Sequence, residues 1–186
     1  MVPAHRRPGR GRGPQDGAGL TRYGPGQEAV DPRPGDLLLT HRSGLIPRLI
    51  RLAERRRFGK REAYWSHCAV VVGPAGTLVE AESRGVVRSP LSKYRPREYE
   101  LIHVPLARPE AAVAYAEAQV GKAFGYLELF SLGVWLLSGW RLEFRRADHQ
   151  VCSSLAARAL AEGGADVGGD PTFMLPADLA RRFGPG

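Results

Sequence analysis

The first 32 positions are rich in Gly, Pro and Arg and hold few large apolar residues. A segment of that kind buries too little surface to offset the entropy of ordering it. It predicts a disordered tail over 1–32 and a folded domain over 33–186. The pattern then changes. Pro34-Gly35-Asp36 is a turn signal, and the apolar run from Leu37 to Thr40 predicts a short buried strand. Ile46, Leu49, Ile50 and Ala53 recur at helical spacing, with Pro47 in the first turn and basic residues on the outer side. Residues 67–73, HCAVVVG, and 77–83, TLVEAES, flank a Pro-Ala-Gly turn and predict a hairpin. Residues 85–91 suggest another strand, and the run 99–106 a further one ended by Pro105. An alanine-rich helix follows from Pro109 towards Gly121. Residues 127–140 are strongly apolar. That run of 14 residues, interrupted by Glu128, is short of the ~20 that span a bilayer; it predicts a core helix or apolar lid, or a lipid-contacting segment. A helix opens at Cys152, buries Leu155, Ala159 and Leu160 on one side and stops at Gly163-Gly164. A last short helix begins near Pro176.

Strands segregated in the first half, with helices around them, give an α+β class in which an antiparallel sheet packs against helices. The chain has 186 residues, enough for one domain with a proper core.

Charge changes this picture little. The net charge of +8 would suit nucleic acid or an anionic membrane. The excess is almost all arginine, in a chain also rich in Ala, Gly and Pro, a bias that genomic base composition produces. The one dense cluster, Arg51 to Arg61, reads as a solvated helix face. Phe58 is the one aromatic within it, not the interleaved set that a nucleic-acid platform would want. Two cysteines do not make a secreted disulfide framework. The five histidines and two cysteines do not gather into the clustered ligand spacing of a zinc site, so no metal or cofactor is expected. No apolar stretch of signal-peptide length opens the chain, and a cytoplasmic location is expected.

The candidate chemistry lies in three residues far apart in sequence. Cys152 starts a helix, where free N–H groups and the positive dipole end favour a thiolate and can hold an oxyanion. A cysteine nucleophile needs a base, and the base needs a third group to fix its tautomer. His67, at the head of an apolar strand, is the candidate base. Strand alternation puts His67, Ala69 and Val71 on one face, where small Ala69 would leave room for the Cys152 helix, and turns Cys68 away as a buried, inert thiol. Glu80 and Glu82 share a face of the next strand; Glu80, nearer its middle, is favoured as the third group, and Glu82 stays open. Gln150 is a possible side-chain oxyanion donor and His149 a rival base. Tyr126 and Trp65 are candidate cleft walls or packing residues, and Asp36 a turn residue. His41 and His103 have no partner legible in the sequence.

The segments PGDLLLT, WSHCAVVVG, LVEAESRGVV, GKAFGY and VCSSLAARAL, in that order over Pro34 to Ala180, resemble the NlpC-type papain-like superfamily. More narrowly they resemble its circularly permuted branch, which includes YiiX-like proteins and the relatives of lecithin retinol acyltransferase. In that fold's ordinary order the cysteine helix precedes the histidine strand; here the histidine comes first. The resemblance implies a circularly permuted papain-like fold, with Cys152 as nucleophile, His67 as base and Glu80 in the third polar position. It also implies a cysteine peptidase or amidase acting through a thioester acyl-enzyme on a small peptide or N-acyl amino acid. A lipid-directed acyltransferase or deacylase on the same site is the alternative. The apolar segment Leu129 to Leu137 and the basic Arg51, Arg55 and Arg56, with peripheral membrane contact, would suit it. A non-catalytic module binding anionic lipid or nucleic acid is the reading from a different class.

Overall fold

The structure is a computed structural model that describes residues 20–41, 62–125 and 149–184. The helix expected around Ile46 to Ala53, the basic cluster, Tyr126 and the apolar run 127–140 lie outside the described residues.

The protein is a mixed α+β fold built on a six-stranded antiparallel sheet. Its strands are β1 (Leu20–Tyr23), β2 (Leu37–Thr40), β3 (His67–Gly73), β4 (Thr77–Glu82), β5 (Gly85–Pro90) and β6 (Tyr99–Ile102), in the spatial order β1-β6-β2-β3-β4-β5. Every neighbouring pair in it is antiparallel. A two-stranded parallel pair, β7 (Ala123–Phe124) and β8 (His149–Gln150), forms a second, smaller sheet beside β5. Three helices are described: α1 (Pro109–Ala118), α2 (Cys152–Glu162) and α3 (Pro176–Phe183).

The sheet corrects the expectation that residues 1–32 are a disordered tail and that the fold begins at 33. Leu20–Tyr23 pairs with Tyr99–Ile102 as the edge strand. The Tyr23 ring stacks on Tyr99 at 5.0 Å between centroids, and Arg22 ion-pairs with Glu98 at 2.6 Å. Four residues that pair along their whole length and carry one stacked aromatic need no long apolar run to be held.

Both faces of the sheet are covered, which is why Leu37, Leu38 and Leu39 are all fully buried rather than alternating. One face carries Leu37, Leu39, Cys68, Val70, Val79, Ala81 and Ile102, and packs against Leu155, Ala156, Ala159 and Leu160 of α2. The other carries Leu38, Ala69, Val71, Leu78 and Leu101, closed over by Leu91 and Tyr94 from a 3-10 turn, Leu91–Tyr94. Burial of Leu155 and Leu160 alone contributes roughly 1.5–3 kcal/mol each, so α2 is fixed on the sheet well beyond its own helical propensity.

Two tight turns set the β3-β4-β5 register. Gly76 and Gly85 both adopt positive φ, 72° and 115°, which side chains with a Cβ resist. At Gly85 a Cβ would also lie 2.5 Å from the Lys122 carbonyl oxygen. That oxygen accepts from Val86 N–H at 2.8 Å, so the β4-β5 turn is tied to the segment leading into β7. The α2 helix ends where expected, with Gly163 as its C-cap and Gly164 at φ 92°. Among the described residues no helix is long and apolar enough to cross a membrane.

Candidate active site

His67 is the first residue of β3 and Cys152 the first of α2. Packing α2 on the sheet brings these two ends together. The β3-β4 register pairs Val70 with Val79; one further step along it would set Ala69 beside Glu80 and His67 diagonal to Glu80. A long side chain spans that diagonal: His67 Nε2 lies 2.6 Å from Glu80 Oε2. His67 is 3% exposed and Glu80 0%, so the contact is shielded from water. With Nε2 engaged by Glu80, Nδ1 is the ring nitrogen left for the sulfur, and His67 interacts with Cys152 by both hydrogen bond and charge.

The Glu80 carboxylate is held at both oxygens. Oε2 also accepts from the Tyr94 hydroxyl, and Oε1 accepts from Lys93 Nζ at 2.7 Å. Lys93 Nζ reaches Glu82 Oε1 at 2.7 Å as well. Of the two glutamates left open by the sequence, Glu80 is the one on His67, and Glu82, more exposed, pairs with Lys93.

These contacts decide the charge states. Burial alone would keep the Glu80 carboxyl neutral, but hydrogen bonds and charge from His67, with Lys93 and Ser89, hold it well below the usual carboxylate range. Burial likewise opposes a charged His67 ring; Cys152 by charge and hydrogen bond, then Glu80, outweigh it and raise the pKa to about 9. The Cys152 thiol is brought well below its ordinary value, first by a hydrogen bond from the Cys68 side chain and then, against burial, by His67. Both shifts favour the same form of the pair, a thiolate on Cys152 beside an imidazolium on His67.

Cys68 corrects the sequence reading. The Cys152 helix packs on the face bearing Cys68 and Val70, not on the face of Ala69, which belongs to the opposite cluster. Leu155 and Leu160 of α2 pack on the Cys68 face, while the Ala69 face is filled by Leu91 and Tyr94. Cys68 is therefore a fully buried thiol in contact with the sulfur of Cys152, not an inert one turned away from it. Cys152 itself is half-buried.

The start of α2 supplies donors. Leu155 N–H makes the first intrahelical bond, to the Val151 carbonyl at 3.0 Å, so the N–H groups of Cys152, Ser153 and Ser154 have no intrahelical acceptor. No side chain caps this end. They flank the sulfur as an oxyanion site requires. Gln150 and His149 lie in β8, opposite Phe124 and Ala123; their side chains lie outside the described residues.

The other candidates serve the fold. Trp65 is buried in the core with its ring edge-on to Tyr64. Asp36 accepts from Arg33 N–H at 2.8 Å in its turn and holds His103 Nδ1 at 2.7 Å. His41 Nδ1 meets the Tyr64 carbonyl at 2.9 Å. Among the described residues no group of three or more His, Cys, Asp or Glu side chains is gathered to hold a metal.

Lys93, Tyr94 and the contact made by Cys68 are the site features that sequence reasoning missed. One signal was present: a buried Glu needs a cation or several donors, and the chain after β5 must turn back across the sheet at 91–94. No protein-family model matches the chain, and no curated protein matches it.

Proposed function

We propose that this protein is a cysteine hydrolase of the circularly permuted NlpC-type, papain-like kind, cleaving an amide through a thioester acyl-enzyme. The observation that carries the proposal is the continuous path from the Cys152 sulfur through His67 to a buried, ionised Glu80. The order of elements, histidine strand, glutamate strand, cysteine helix, supports the permuted reading.

The steps follow from the charge states. The Cys152 thiolate attacks the carbonyl carbon, and the carbonyl oxygen takes up negative charge against the N–H groups that open α2. The His67 imidazolium gives its sulfur-facing proton to the leaving nitrogen, the C–N bond breaks, and the amine departs. A thioester remains on Cys152. Neutral His67 then takes a proton from water, the hydroxyl adds to the thioester carbonyl, and the C–S bond breaks to release the acid and restore the ion pair. Glu80 stays ionised throughout and holds the ring by its Nε2–H.

The same site on a lipid acyl group is the second reading, supported by the apolar run 127–140 in the sequence. A non-catalytic binding module is disfavoured: a fully buried carboxylate beside a buried histidine is a poor source of stability, and a surface that only binds has no use for it. Incubation with N-acyl amino acids, short peptides and phospholipids tests the proposal. An acyl adduct on Cys152, seen by intact mass and released as free acid, is expected from the amide substrates. Turnover that persists in both Cys152→Ala and His67→Ala would contradict it.

A further inference from the structure

Lys93 does not behave as a surface lysine. An ammonium has three N–H donors, and all three meet acceptors of the sheet: Glu80 Oε1 at 2.7 Å, Glu82 Oε1 at 2.7 Å and Ser89 Oγ at 3.2 Å. Its nitrogen also lies 5.6 Å from the centroid of the Tyr94 ring. A long side chain on a 3-10 turn gives up rotamer freedom to be held this way, and exposed ion pairs seldom repay that. Here one acceptor is fully buried, and its other oxygen is the one on His67.

We propose that Lys93 is a positioning residue of the active site that divides its positive charge between Glu80 and Glu82, and so sets how strongly Glu80 pulls on His67. The inference rests on the cysteine-hydrolase reading and concerns its proton balance. Glu80 Oε2 has His67 and the Tyr94 hydroxyl as partners apart from Lys93, so the part assigned to Lys93 is its charge on Oε1. Among the described residues the charged or titratable groups that bear on this carboxylate are His67, itself facing Cys152, with Tyr94 on the same oxygen, and Lys93, shared with Glu82, on the other. Lys93 opposes a second positive charge on His67; Glu82 draws Lys93 away and favours it. Too basic an imidazolium would be a poor acid toward the leaving nitrogen, and too weak a one would not keep Cys152 ionised. Lys93 and Glu82 hold it between.

The test is an NMR titration of the His67 ring in the full chain, read beside alkylation of Cys152. Lys93→Met is expected to move the His67 titration upward by about one pH unit, the size of effect a charge within a few ångströms exerts. Glu82→Gln is expected to move it downward, and Lys93→Arg to leave it near the wild type. Opposite shifts from Lys93→Met and Glu82→Gln separate a charge role from a scaffolding one, which would move both the same way or neither. Should Lys93→Met fail to fold, Glu82→Gln, on a more exposed side chain, and Lys93→Arg still decide the matter. No downward shift in Glu82→Gln, or no upward shift in a folded Lys93→Met, overturns the role of Lys93 while leaving the hydrolase reading intact. A wild-type Cys152 that alkylates no faster than Cys68 instead removes that reading, and with it the role proposed for Lys93.

Discussion

Glu80 Oε2 lies 2.6 Å from His67 Nε2 across adjacent antiparallel strands, in a place where the carboxylate has no solvent exposure at all. A carboxylate so placed fixes which ring nitrogen faces the sulfur and stabilises the imidazolium.

Glu80→Gln keeps the shape and removes the charge. It is expected to lower the His67 titration and to reduce turnover by about 10²-fold or more, the scale of general acid–base catalysis. Steady-state kinetics beside the His67 ring titration measures both, and a variant with wild-type turnover would show that Glu80 has no part in catalysis.

Cys68 lies in the cluster against which Cys152 packs, and a hydrogen bond from its side chain is the first cause of that thiol's lowered pKa. Cys68→Ala removes the donor and a small buried volume. The alkylation pH profile of Cys152 is expected to shift to higher pH in this variant. An unchanged profile would mean that the contact does not stabilise the thiolate.

Proton linkage gives a signed expectation. His67, raised to about 9 from an ordinary 6.5, contributes stability that is full below 6.5 and is lost as pH rises through 9. Cys152, lowered from an ordinary 9.0, contributes stability that is full above 9.0 and is lost as pH falls through its folded value. Between about 6.5 and 9 the two changes run in opposite directions and cancel. Urea unfolding is therefore expected to be level in this pair's contribution from pH 6.5 to 9, and to weaken on the acid side, where Glu80 adds its own loss below its ordinary 4.5. Turnover is expected to fall above about 9 as the imidazolium is lost. An uncompensated loss near 1.4 kcal/mol per pH unit between 7 and 9 would contradict the ion pair.

Leu160 is fully buried between α2 and the sheet. Leu160→Ala is expected to cost about 2–5 kcal/mol in urea unfolding and, by loosening α2, to slow alkylation of Cys152. A loss of stability without any change at Cys152 would mean that the helix start is held independently of its packed face.

Much of this arrangement is legible in the sequence. The β3-β4 hairpin follows from two apolar runs around Pro74-Ala75-Gly76, and the bounds of α2 follow from Leu155 and Leu160 at helical spacing ahead of Gly163-Gly164. Alternation along β4 leaves Glu80 and Glu82 on one face, and a buried histidine needs one of them. What the sequence does not carry is which face of the sheet takes the helix. Cys68, Val70 and Ala69, Val71 are equally apolar sets, and the choice is made by tertiary packing of α2 against one and of Leu91 and Tyr94 against the other. For the same reason Lys93 is hidden: its place over Glu80 depends on the return path of the chain after β5. The short strand at Leu20–Tyr23 escapes a compositional reading because its pairing partner is about 80 residues away and its own apolar content is slight.

The most direct test of the central claim is the rate at which a thiol-directed electrophile labels Cys152 at neutral pH, with Cys68 as the internal reference. Cys152 is expected to react much faster than Cys68 in the wild type, and the difference to collapse in His67→Ala. Equal, slow labelling of the two cysteines, unchanged by His67→Ala, would contradict the thiolate–imidazolium pair and with it the proposed hydrolase.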